Sequence, residues 1–217
     1  AMTRVAAIDC GTNTIRLLIA EPDRDDSGRP HLEVLRRRNE IVRLGQGVDR
    51  TGLLDPEALE RTLAAVASYA ADCTELGVAP GGDVRRFVAT SATRDAGNRE
   101  DFVAGVSRLL GIEPEVVSGQ EEARLSFTGS LLGARGGEGA KAPGRGQGEC
   151  APAPRLVVDL GGGSTELVLG DARVEQAVSV NMGAVRVTEK FLSGVDPAGG
   201  VPPQDEARVV AWVDEQL

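Results

Sequence analysis

The stretch VVDLGGGSTELVLG, residues 157–170, decides the fold. Two apolar runs flank Asp159, three consecutive glycines, Ser164, Thr165 and Glu166. Glycine inside a strand weakens it, through backbone entropy and the lack of a side chain to pack. A plain hairpin turn needs fewer glycines than this. Two readings of the triplet follow: a tight hairpin, or a loop whose backbone N–H groups come close to an anion while carboxylates beside it hold a metal.

The start of the chain repeats the pattern. AAIDCGTNTIRLLIAE (6–21) and LVVDLGGGSTELVLGD (156–171) both read as an apolar strand, Asp-x-Gly, small polar residues and a second apolar strand. Two copies of one strand-turn-strand unit, each opening a domain, imply an internal duplication. Duplicated domains facing each other bring both turns to one cleft, where ligand sites are favoured. Gly11, Thr12 and Asn13 then offer backbone donors from one side, and Gly161, Gly162, Gly163 and Ser164 from the other. Such loops can clamp a phosphate chain, with a divalent ion on Asp159 and Glu166 offsetting its charge. On this reading the glycines let the backbone reach phosphate oxygens.

Between the copies the pattern is mixed α/β. RVAAID, IRLLIAE and RPHLEVLRRR read as strands, the last after the turn-forming PDRDDSG. A helix follows, with Asp55 as N-cap, Pro56 at the first position, an apolar face of Leu59, Leu63, Val66, Ala70 and Cys73, and Gly77 at the end. VRRFVAT is a strand, the segment from Asn98 to Gly111 a helix, IEPEVV a strand and QEEARLSFTGSLL a helix. Residues 133–154 are dominated by Gly, Ala and Pro and read as a surface insertion or linker. The expected division is a first domain over 1–125, a connecting helix and insertion over 126–155, and the start of a second domain over 156–217.

With 217 residues, 41% hydrophobic and 3% aromatic, the chain has an aliphatic core and room for one large or two small domains. Its net charge of −9 discourages long-range attraction to nucleic acid or an anionic membrane. The run Arg36, Arg37 and Arg38, with Arg43, reads as a solvated face. There is no membrane-length apolar run and no signal-peptide architecture, and Ala1 before Met2 reads as an added residue. Cys10, Cys73 and Cys150 form no Cys-x-x-Cys pair, so neither a disulfide framework nor a thiolate zinc site is expected; a cytoplasmic location is. His31 and Trp212 carry no functional signal.

Five blocks together resemble the exopolyphosphatase and guanosine pentaphosphate phosphatase (Ppx/GppA) family of the actin-like ATPase superfamily. They are AIDCGTNTIRLLI, ATSATRDAGN, VVSGQEEARLSFTG, VVDLGGGSTELVLG and NMGAVRVTEKF, in the family's order from residue 7 to residue 191. The resemblance implies two ribonuclease-H-like domains facing a central cleft, and a bacterial, magnesium- or manganese-dependent hydrolase. Its ligand would be polyphosphate or guanosine penta- or tetraphosphate, and a homodimer is an expected assembly. It further implies that Glu122 is the catalytic base, that Asp159, Glu166 and Asp9 are the magnesium-associated acids, and that Arg94 contacts substrate phosphate. Read alone, Glu122 is a solvated helix carboxylate, Arg94 a surface cation, and Arg16 either a phosphate contact or a strand-face charge.

The second unit reads as incomplete. PPQDEARVVAWVDEQL opens a helix with no C-cap and with Asp214 and Glu215 at the end where the macrodipole favours cations. Family members continue with a further strand and a Gly/Thr-rich loop, so a C-terminal truncation and an exposed strand edge are expected. Two other functions compete with the hydrolase. One is a superfamily kinase or ATPase, against which SGQEEA speaks for water as nucleophile; the other is a non-catalytic phosphate or nucleotide sensor.

Overall fold

Alternation of small and branched apolar residues builds the first sheet. The computed structural model describes residues 3–24, 28, 30–136, 154–196 and 198–217. In β1 (Val5–Cys10), Ala6, Ile8 and Cys10 point to one face and are buried; in β2 (Thr14–Arg24), Ile15, Leu17 and Ile19 do the same. With β3 (Pro30–Ile41), β4 (Arg85–Ala89) and β5 (Glu115–Val116) they form a sheet in the order β3-β2-β1-β4-β5. β1, β2 and β3 pair antiparallel, whereas β4 runs parallel to both β1 and β5. The expected strand IEPEVV shrinks to two paired residues, because Pro114 has no N–H to add to the ladder.

Two helices cover the buried face. α2 (Pro56–Glu75) starts where the Asp55 carboxylate accepts from the N–H groups of Glu57 and Ala58. Its inner face is Ala58, Thr62, Ala65, Val66, Tyr69 and Cys73, with Leu59, Leu63 and Ala70 flanking. α4 (Arg99–Leu110) adds Phe102, Val106 and Leu110 and ends at Gly111, φ 69°. A Cβ on Gly105 would lie 2.7 Å from Leu63 Cδ2, so this glycine sets how closely α4 approaches α2. Two short helices, α1 (Val48–Thr51) and α3 (Ser91–Asp95), are too brief for a periodic signal and have no counterpart in the sequence reading.

Strand alternation divides the basic run. Arg36 reaches Asp72 (2.5 Å) and Glu75 (2.9 Å) on α2, and Arg38 reaches Asp72 (2.6 Å) and Ser68 (2.8 Å). Arg37 points to the opposite face. The run is thus mostly an anchor of β3 to α2 rather than a free solvated face.

The second lobe is an antiparallel sheet of β6 (Arg155–Leu160), β7 (Thr165–Gly170) and β8 (Val174–Val180), in the order β6-β7-β8. α5 (Gly119–Gly136) packs on it, with Ala123 and Phe127 against Val168. The helix begins before the boundary expected at residue 125 and belongs to the core of the second lobe. It also continues to Gly136, four residues into the stretch read as an insertion. The rest of that insertion, 137–153, lies outside the described residues. α6 (Ala184–Phe191) and α7 (Pro203–Gln216) follow and meet through Phe191 and Trp212, 5.6 Å apart.

The two hairpins are built alike. Gly11 N–H donates to Thr14 O at 2.9 Å, and Gly161 N–H donates to Ser164 O at 2.9 Å. Asp9 lies opposite Arg16 in one register, and Asp159 opposite Glu166 in the other. β6 therefore occupies the place of β1, but on its far side no described strand pairs with it. No described helix is long and apolar enough to cross a membrane.

Candidate active site

Both hairpin turns open on one cleft of about 650 Å³ between the lobes. Asp9, Gly11, Thr12 and Asn13 line it from the first lobe, and Asp159, Gly161, Gly162, Ser164 and Glu166 from the second. Glu122 of α5 stands between them. Nine of the twelve residues singled out in the sequence thus meet with Glu122 in one place, while Gly163 and Arg94 stand behind the wall.

The glycines have a reason other than phosphate contact. A Cβ on Gly163 would lie 2.6 Å from both Ser91 Oγ and Thr12 Oγ1, and one on Gly162 would lie 3.0 Å from Thr12 Cβ. None of Gly161, Gly162 or Gly163 has a positive φ. Gly162 and Gly163 are glycine because the second loop packs directly on the first, where Thr12 and Ser91 share a 2.8 Å hydrogen bond, whereas a Cβ on Gly161 would press on its own turn at Ser164 O, 2.9 Å away. The N–H groups of Gly11 and Gly161 close their own turns. Those of Thr12, Asn13, Gly162 and Ser164, all residues that line the cleft, donate to no protein acceptor among the described residues and are available to a ligand.

Four carboxylates converge here, each with a different environment. Glu122 has a side chain 18% exposed, with Arg94 Nη1 3.4 Å away. Burial pushes its pKa up to about 7, Glu166 and more weakly Asp9 push the same way, and Arg94 opposes them. Its neighbour Glu121 instead pairs with Arg124 at 3.0 Å, which holds its carboxyl below the ordinary range. Glu166 is buried; burial raises its pKa, against hydrogen bonds from Ser179 (2.8 Å) and Ser164, with Asp159 adding to the rise. Asp159 accepts from Ser126 Oγ at 2.7 Å, and Asp9 is paired with Arg16 at 2.9 Å. Arg16 therefore holds the first-loop acid.

Arg94 donates to Val117 O at 2.8 Å as well as to Glu122. It braces the candidate base and does not line the cleft. Cys10 is fully buried, and burial beside Asp9 raises its thiol pKa, which keeps it inert. Sequence reasoning missed Ser91, Ser126, Ser179 and Arg186. Ser126 follows Glu122 by one helical turn, a spacing that places both on one face. Ser179 and Arg186 are distant in sequence from their partners and carry no local signal.

The donor set is all oxygen, which suits a hard divalent cation. Among the described residues no three such side chains stand close enough to hold an ion alone. Magnesium commonly binds through one or two carboxylates, its waters and substrate phosphates. Asp159 and Glu166, opposite each other across β6 and β7, fit that mode.

Paired ribonuclease-H-like lobes with matching hairpin turns across a cleft define the actin-like ATPase class. Within it, the profile of the Ppx/GppA phosphatase family matches residues 23–216. Exopolyphosphatase 2 of Mycobacterium tuberculosis is 46% identical over 202 residues, covering 91% of this chain and 57% of that protein. The crystal structure of an exopolyphosphatase from Cytophaga hutchinsonii superposes with a TM-score of 0.79 at 27% identity, over 99% of this chain and 61% of that one. That of the Aquifex aeolicus Ppx/GppA family member gives 0.66 at 31% identity, over 88% and 55%. The chain belongs to the Ppx/GppA phosphatase family. It spans somewhat over half the length of these relatives.

Proposed function

We propose that the cleft is the site of a magnesium-dependent phosphoanhydride hydrolase that releases terminal phosphate from inorganic polyphosphate or guanosine pentaphosphate. The observation that carries this reading is Glu122: a largely buried carboxyl with its pKa pushed up to about 7, lining the cleft on which both hairpin turns open. A general base works best with a pKa close to the operating pH. Glu122 takes a proton from water as the water oxygen bonds to the terminal phosphorus. The bond from that phosphorus to the bridging oxygen breaks, and the chain leaves one phosphate shorter.

Thr12, Asn13, Gly162 and Ser164 supply backbone donors to the phosphoryl oxygens, and Arg94 keeps Glu122 in place. Asp159 and Glu166 would hold the magnesium or manganese ion, and Ser126 and Ser179 orient one oxygen of each. When bound, the ion neutralises charge on the phosphoryl oxygens. Asp9, engaged by Arg16, is the weakest of the three proposed metal acids. The names of the Mycobacterium and Cytophaga relatives favour polyphosphate over the nucleotide.

The test is phosphate release from long-chain polyphosphate, ATP and guanosine pentaphosphate in parallel, with and without magnesium. Metal-dependent release from polyphosphate or the pentaphosphate is expected. Turnover of ATP alone would point to the kinase or ATPase class. Binding without release by the folded chain would sink the hydrolase reading in favour of a sensor.

A further inference from the structure

A guanidinium ties the lobes together behind the cleft. Arg186, on α6 of the second lobe, donates through Nε to Gly163 O at 2.5 Å. Its Nη2 reaches Asp95 Oδ2 at 2.5 Å, and its Nη1 reaches Asp49 Oδ1, both in the first lobe. Asp95 also stands 3.9 Å from Arg94, the partner of Glu122. One turn along α6, Glu189 accepts the Gly47 N–H of the first lobe at 2.9 Å. The space left between these groups is about 10 Å³, at the limit for a single water, so the contact is close, with Asp49 and Asp95 still partly open to solvent.

We propose that Arg186 is a positioning residue that holds the 161–164 loop on the first lobe and so sets the closed width of the cleft. Its two lateral nitrogens grip acids on α1 and α3, while the third fixes the carbonyl of the glycine that interlocks with Thr12 and Ser91. The fork meets each of the three acceptors with a separate nitrogen, whereas the three N–H donors of Lys all sit on one nitrogen and cannot span them. In naming phosphate as what the closed loops receive, the inference rests on the proposed function. Its mechanical part stands without it.

Hydrogen–deuterium exchange of the 217-residue chain tests it without turnover. In Arg186→Gln, the hydrogen-bonded amides of 45–48, of Gly161 and of 184–186, which donate to the loop's carbonyls, should exchange at least about tenfold faster, while those of β1, β2 and β7 keep their protection. Arg186→Lys should recover part of the lost protection. The pair Asp49→Asn with Asp95→Asn, which leaves Arg186 bonded to Gly163, should speed exchange at the same amides. This covers the case of a poorly folded Arg186 variant. Unchanged exchange at these amides, or loss spread through all of β6–β8, would overturn the latch. Tripolyphosphate with magnesium should then restore protection in Arg186→Gln, and KM should rise about tenfold at nearly constant kcat, because bound phosphate recloses the loops. A tenfold fall in kcat at constant KM would instead mean a smaller folded fraction and would also overturn it. Failure of tripolyphosphate to restore protection in an otherwise loosened variant counts against the phosphate reading alone, with the latch upheld.

Discussion

Glu122 sits where ionisation is disfavoured. Its folded-state pKa of about 7 lies above the value of an exposed glutamate, so the folded state holds a proton that the unfolded chain has released between the two values. Stability from this group is complete below the unfolded pKa and is lost as pH rises through about 7. Glu122→Gln, which cannot ionise, should therefore gain about 1–3 kcal/mol over the wild type at pH 8 and close to nothing at pH 4. Urea unfolding at the two pH values measures it. The same ionisation switches on a general base, so kcat/KM should fall as pH drops through about 7, and Glu122→Gln should lose about two to four orders of magnitude in rate. A flat profile between pH 6 and 8 would remove Glu122 from that role.

At the scale of elements, the two hairpins hold each other by contact. Gly163→Ala drives a methyl into Ser91 and Thr12 at 2.6 Å, and overpacking of that kind destabilises by about 1–3 kcal/mol. Adding Ser91→Ala should return part of the loss, as read by denaturant midpoints of the single and double variants. β6 poses the opposite problem. Leu156, Val158 and Leu160, at 64%, 56% and 66% exposure, line up on the face away from α5 and continue into Val178 on β8. An apolar strand with an unpaired edge favours association. The 217-residue chain should bind a hydrophobic dye and self-associate with concentration, and Val158→Lys should lower both in light scattering and dye fluorescence.

In the whole molecule, the cleft exists only because two copies of one hairpin are brought face to face by α5 and α6. Ligands that bridge the lobes should stabilise both together. Tripolyphosphate with magnesium should raise the melting temperature as its concentration passes its dissociation constant. Asp159→Ala or Glu166→Ala should weaken the magnesium dependence of that rise, because each removes one of the proposed carboxylate ligands. An unchanged magnesium titration in both variants would leave those acids a structural role only.

The local pattern was enough for the hairpins, the helices α2, α4 and α5, and the duplication, because each depends on periods and caps within about twenty residues. Asp9 and Asp159, with their glycines, could be read directly as paired turns. Glu122 carried no local mark beyond its block resemblance, since burial raises its pKa and the charges that add to the rise, Glu166 and Asp9, are 44 and 113 positions away. The reason for Gly162 and Gly163 lay in Thr12 and Ser91, on the other lobe. Arg94 behind the base, Arg37 split from its neighbours, and Arg186 across the lobes were likewise decided by packing. Chain periodicity specifies which face a residue occupies; only the folded molecule specifies what stands opposite that face.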